Sequence, residues 1–135
     1  MLDVFHHSLY QPTEKPRIDF GNRLPPKEIK VRAGEPFDVK IPFIGSPPPT
    51  ASWYKDNKEV RPSARVNVET GEEATTLDNK KAERGDSGEY KVTLANNQGE
   101  DSLTMKVVVL GKYYIKVQLH FHMYYVFVYR IPVKR

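Results

Sequence analysis

Asp86-Ser87-Gly88-Glu89-Tyr90-Lys91-Val92 decides the fold of this chain. An acid, a glycine and then a tyrosine opening an apolar strand is the local chemistry of a corner between two packed β-sheets. Such a tyrosine enters the second-last strand, and its hydroxyl returns to backbone a few residues upstream, fastening the corner. Asp86, Gly88 and Tyr90 are therefore the expected corner residues. Trp53, the single tryptophan, is expected on the opposite sheet as the central plug of the core.

The neighbouring segments read the same way. Downstream, Tyr90, Val92 and Leu94 share a face, and Asn96-Asn97-Gln98-Gly99 is a hairpin turn with Gly99 suited to a positive φ. Leu103, Met105, Val107 and Val109 then form a last strand that ends at Leu110-Gly111. Upstream, Phe37, Val39, Ile41 and Phe43 alternate with Asp38, Lys40 and Pro42, the pattern of a strand with one buried and one solvated face. Ala51 and Trp53 share a face of the next strand. Arg65–Glu69 and Ala74–Leu77 give two more, Leu77 being the only strong apolar residue of the second. Arg17–Phe20 and Glu28–Arg32 are short pieces split by Pro25-Pro26, as in a blunted sheet edge. Seven or eight short strands without helical periodicity predict an all-β sandwich.

Composition sets further bounds. The chain has 135 residues, 28% charged and 39% hydrophobic, which suits one soluble domain with flanking residues. It has no cysteine, so neither a disulfide nor a cysteine-ligated metal can form, and a reducing compartment fits. The net charge of +4 is unevenly placed, because all 17 acids lie before residue 112 while residues 112–135 hold five cations and no acid. The main domain is thus close to neutral, without the electrostatic footprint of a nucleic-acid binder.

Taken together, Gly45-x-Pro47-x-Pro49-x-x-x-Trp53-Tyr54-Lys55, Asp86-x-Gly88-x-Tyr90-x-Val92 and Asn96-x-x-Gly99 resemble the intermediate-set (I-set) immunoglobulin domain, particularly those of the giant muscle proteins twitchin and titin. The resemblance covers residues 16–111 and implies a sandwich of two antiparallel sheets. Residues 1–15 are then a flexible lead-in and 112–135 a basic, aromatic tail outside the domain. It also implies that Ile41 and Val92 occupy the positions of the family's two disulfide cysteines, packing under Trp53 with Leu77 and Leu94 in the same core. Losing the crosslink forfeits roughly 2–5 kcal/mol. Burying two aliphatic side chains returns about 1.5–3 kcal/mol each. Asn79 stands where the family places an apolar residue. A buried, unpartnered amide would cost about 1–3 kcal/mol, so the strand is expected to end early with Asn79 facing solvent.

By the same resemblance the chain is a non-catalytic structural and protein-interaction module of a sarcomeric, twitchin- or titin-like protein, contributing to thick-filament (A-band) architecture and elasticity in the muscle cytoplasm. Its expected partners are neighbouring immunoglobulin and fibronectin type III domains and sarcomeric proteins. It is expected to act as a monomeric module, with no nucleic acid and no membrane as partner. No cofactor and no metal are expected, and no enzyme in this chain, whatever kinase domain a parent protein carries elsewhere. The alternative is a fragment of a cell-surface adhesion or receptor protein. Arg84-Gly85-Asp86 spells an integrin-binding tripeptide, but Asp86 is expected to bond inside the corner, to Arg65. The residues before Lys15 lack the basic start and apolar run of a signal peptide. The histidines, at 6, 7, 120 and 122, all lie outside the sandwich, which leaves its serines without a nearby base.

The tail Lys112–Arg135 holds five of the eight tyrosines, and its uncharged stretch of 117–129 is too short to cross a bilayer as a helix. Its aromatic and basic residues would suit a membrane surface or single-stranded nucleic acid. As one strand it would place His120 and His122 on a common face, a weak metal site. The reading preferred from the break in composition at Lys112 is non-domain sequence from a truncated or mis-joined gene product, and a segment this β-prone and acid-free aggregates unless covered.

Overall fold

The computed structural model describes residues 12–130. Ten strands run in chain order: β1 (Glu14–Ile18), β2 (Glu28–Arg32), β3 (Phe37–Ser46), β4 (Thr50–Lys55), β5 (Lys58–Glu59), β6 (Val66–Thr70), β7 (Ala74–Asn79), β8 (Gly88–Asn96), β9 (Gly99–Leu119) and β10 (His122–Arg130). A single 3-10 turn, Arg84–Asp86, separates β7 from β8. One sheet has the order β1-β3-β7-β6, and the other runs β10-β9-β8-β4-β5 with β2 added to β9. The ladders are antiparallel except for β2 on β9, where Glu28–Arg32 lies parallel to Lys106–Leu110. Most of the expected lead-in, with His6 and His7, lies outside the described residues, while Glu14 and Lys15 already belong to β1.

The inward faces follow the alternation of the sequence. In β3, Phe37, Val39, Ile41 and Phe43 are buried and Asp38 and Lys40 exposed. In β8, Gly88, Tyr90, Val92 and Leu94 are buried. The central cluster joins Val39, Ile41, Trp53, Leu77, Tyr90, Val92, Met105 and Val107 across the two sheets. Ile41 and Val92 are both 0% exposed, and Val92 lies opposite Trp53 in the β4–β8 ladder. At roughly 1.5–3 kcal/mol per fully buried aliphatic side chain, this layer carries much of the fold.

Three expectations are corrected. Trp53 is not on the sheet opposite the corner tyrosine: β4 pairs directly with β8, Lys55 opposite Tyr90, so both strands belong to one sheet. Trp53 reaches the other sheet through its inward-facing side chain, a strand's sheet being set by its ladder partner and not by its own sequence. β7 does not stop short of Asn79, which is 1% exposed and lies opposite Phe37 and Val66 in the two flanking ladders. The amide is tolerated there because both its oxygen and its nitrogen are hydrogen-bonded. The last strand does not end at Gly111 either, since β9 continues to Leu119 and returns as β10. The sequence beyond Gly111 is rich in aromatic and β-branched residues, and no proline interrupts it before Pro132.

Candidate functional site

The polar centre of the molecule lies at the end of the sandwich where β6 begins and β7 ends. Arg65 stands just before β6, and its guanidinium grips both oxygens of the Asp86 carboxylate: Nη1 donates to Oδ2, and Nη2 donates to Oδ1 at 3.1 Å. Nη1 also donates to the Lys81 carbonyl at 3.0 Å and to Asn79 Oδ1 at 3.3 Å. Asn79 in turn donates from Nδ2 to Asp86 Oδ2 at 3.1 Å and accepts the Lys81 N–H at 3.0 Å. The Glu83 N–H completes the set, donating to Asp86 Oδ2 at 2.7 Å.

Burial by itself would raise the Asp86 pKa, but the donors Arg65, Glu83 N–H and Asn79 outweigh it and hold the carboxyl below its ordinary value. The bond to Asp86 correspondingly raises Arg65. Tyr90 reaches into the same corner from β8, its hydroxyl donating to the Asp86 carbonyl at 2.8 Å. Burial first, and then the charges of Asp86 and Asp56, push its phenol well above the usual range.

Gly88 is set by a close approach on the other side of the corner. Asp56 and Asn57 take φ of 49° and 69°, the left-handed pair of a two-residue hairpin turn between β4 and β5. That turn carries Asp56 Oδ1 to within 2.9 Å of the Glu89 N–H. A Cβ on Gly88 would lie 2.6 Å from Asp56 Oδ2, so only glycine leaves room for the carboxylate. Gly99 opens β9 opposite Asn96 with φ of 154°.

Trp53 donates from its indole N–H to Thr75 Oγ1 at 3.0 Å, and Thr75 is bonded to Thr70 at 2.9 Å. Leu77 is 1% and Leu94 0% exposed, Leu94 opposite Ala51 and apart from the Trp53 cluster. Thr75, Asp56 and Asn79 are the structural residues that the alternation of apolar side chains does not reveal. A serine, threonine or amide inside a strand looks like a solvent-facing position until its partner from another strand is known. An apolar residue at position 79 would have been read correctly as core; the amide concealed it.

A cleft of about 320 Å³ opens beside this corner, with Lys58 and Arg61 at its mouth and Leu77 and Tyr90 at its floor. It contains neither histidine nor cysteine, and its one carboxylate at the floor, Asp86, is committed to Arg65. Among the described residues, no three His, Cys, Asp or Glu side chains converge to hold a metal. Arg84-Gly85-Asp86 forms the 3-10 turn, with Asp86 7% exposed and turned inward. His120 sits in the β9–β10 turn with φ of 58° while His122 begins β10, so the two do not share a strand face. The arrangement ties the two sheets together through Arg65, Asn79, Asp86 and Tyr90.

The β9–β10 ribbon is the other feature of the surface. It brings Leu119 opposite His122, Val117 opposite Tyr124 and Lys116 opposite Tyr125. Phe121 at its tip is 98% exposed and Tyr125 68%. No helix among the described residues is long and apolar enough to cross a membrane.

The sequence model of the immunoglobulin I-set domain matches residues 22–109. Myosin-binding protein H of Gallus gallus is 34% identical over 101 residues, covering 74% of this chain and 18% of that protein. Slow-type myosin-binding protein C of Homo sapiens is 37% identical over 83 residues, covering 61% of this chain and 7% of that protein. Among solved structures, the titin immunoglobulin tandem A164-A165 superimposes with a TM-score of 0.68 at 25% identity, over 73% of this chain and 50% of that one. The chain therefore spans less than a fifth of the length of these two myosin-binding relatives.

Proposed function

Because the chain belongs to the immunoglobulin I-set domain family, with relatives among titin and the myosin-binding proteins, we propose that it is a non-catalytic architectural module of a sarcomeric protein of the titin or twitchin type. Its work is mechanical. It is one bead in a row of immunoglobulin and fibronectin type III domains along the thick filament, in the A-band of the muscle cytoplasm, and it docks sarcomeric proteins on its strand faces and loops.

The observation that carries this reading is the β2–β9 ladder. Tension along the chain loads the five parallel register pairs from Glu28–Lys106 to Arg32–Leu110 in shear, so their backbone bonds must yield together rather than one at a time. Beneath that ladder, Val31, Val107 and Val109 are buried in the central cluster, which couples the loaded strands to the core without a crosslink.

Immunostaining with an antibody raised against residues 22–109 tests the proposal. Stripes in register with myosin in muscle of the source organism are expected. Staining confined to the cell surface would overturn it in favour of an adhesion or receptor protein.

A further inference from the structure

We infer that β10 is a self-pairing edge through which two copies of this chain join into one continuous sheet. The inference departs from a monomeric module and does not depend on the sarcomeric reading. Its basis is the difference between β10 and every other sheet edge among the described residues. β1 carries Glu14, Lys15, Pro16 and Arg17, and β2 carries Glu28, Lys30 and Arg32. β5 is two residues long, and β6 presents Asn67 and Glu69 outward. These are the ordinary ways of keeping a sheet edge from pairing with another chain. β10 has none of them. Its nine residues, HMYYVFVYR, contain no proline and no formal charge before Arg130. It is the last strand of its sheet, and Met123, Tyr124, Tyr125 and Val126 are 43–68% exposed.

The sequence of β10 complements itself. An antiparallel two-fold pairing centred on Val126 sets Val126 opposite Val126, Tyr125 opposite Phe127 and Tyr124 opposite Val128. Aromatic and β-branched pairs of this kind are the ones that stabilise antiparallel ladders. The only charged residue of the strand, Arg130, falls opposite His122, so no like charges face each other. The base of each ribbon meets the tip of the other, which places the two sandwiches at opposite ends. The other edge of the ribbon, β9 beyond Gly111, carries the exposed Lys116 near its middle, which opposes further addition and closes the assembly at two copies.

Sedimentation of the full chain over a range of concentrations tests this. A reversible dimer is expected, with β10 amides that gain hydrogen-exchange protection as the dimer forms. Val126→Lys places two ammonium groups face to face and should raise the dissociation constant by about tenfold or more, while Val126→Thr should change it by less than about threefold. His122→Glu, opposite Arg130 of the second copy, should tighten the dimer, and His122→Lys should loosen it. These two leave the middle of the ribbon intact if the central lysine unfolds it. A chain that stays monomeric at every concentration overturns the inference. So do assemblies that grow beyond two copies, insensitivity to Val126→Lys and His122→Lys together, and a monomer whose β10 amides are protected throughout because its own residues 1–11 cover the edge.

Discussion

The Asp86 corner and the β9–β10 ribbon both lie outside the apolar centre of this molecule, and they treat polarity in opposite ways. At the corner, one carboxylate collects bonds from Arg65, Asn79 and the Glu83 N–H, and the Tyr90 hydroxyl closes on the carbonyl of the same residue. No buried side-chain nitrogen or oxygen among the described residues lacks a partner. The ribbon instead displays aromatic side chains to water, and among the described residues no strand pairs with the outer edge of β10. A buried polar network stabilises only when it is complete. An open edge costs the monomer little and acts between molecules. Stability should therefore fall steeply with damage to the corner and hardly at all with loss of the ribbon.

The largest effect is expected from Asp86→Ala. It leaves Arg65, Asn79 and the Glu83 N–H facing one another without their shared acceptor, and breaking a partly buried pair in this way costs about 3–5 kcal/mol. Urea denaturation followed by Trp53 fluorescence measures it, and a loss under about 1 kcal/mol would mean that the corner is not the polar anchor of the fold. Acid should produce the same effect by degrees. The folded pKa of Asp86 is depressed, so its contribution is fully present above the unfolded value of about 3.9 and is lost as pH falls through the lower folded value. Asp86→Asn should flatten that acid limb.

Tyr90→Phe comes next. It deletes one hydroxyl and strands the Asp86 carbonyl while keeping the ring in the core, for an expected loss of about 1–2 kcal/mol in the same denaturation experiment. An unchanged midpoint would show that the hydroxyl does not fasten the two sheets at this corner.

The sandwich could be read from the sequence wherever a local rule sufficed. Phe37 to Phe43 alternate strictly, Trp53 is large and unique, and the Asp-x-Gly-x-Tyr spacing is a local signature. Reading failed where the partner lies far along the chain. Asn79 is buried because Arg65, fourteen positions earlier, and Asp86, seven later, satisfy its amide. Thr75 is buried because Trp53 donates to it across the sandwich. Periodicity detects which positions alternate, but not which hydroxyl or amide meets a donor on another strand. Gly111 failed for a different reason. It follows the last strand predicted for the domain and resembles a stop, yet it lies within β9 and pairs with Arg130 of β10. Whether a glycine ends a strand depends on what the residues after it can pair with.

The smallest effect is expected from truncation after Gly111. β9 reaches its sandwich partners entirely before that point, pairing with β8 from Gly99 to Val107 and with β2 from Lys106 to Leu110. The central cluster ends at Val109. Removing residues 112–135 should therefore shift the denaturation midpoint by no more than about 0.5 kcal/mol equivalent, as for changes remote from a core, while abolishing dimerisation. The same truncation thus separates the two regions. Stability kept and self-association lost would place the domain boundary at residue 111 and assign the ribbon to contact between molecules. A loss of several kcal/mol would instead make the ribbon part of the cooperative fold, its two strands bracing β9 against the sandwich. An isolated two-stranded ribbon is marginal in water, so an outcome between these limits should depend on protein concentration, with the second copy supplying the third and fourth strands.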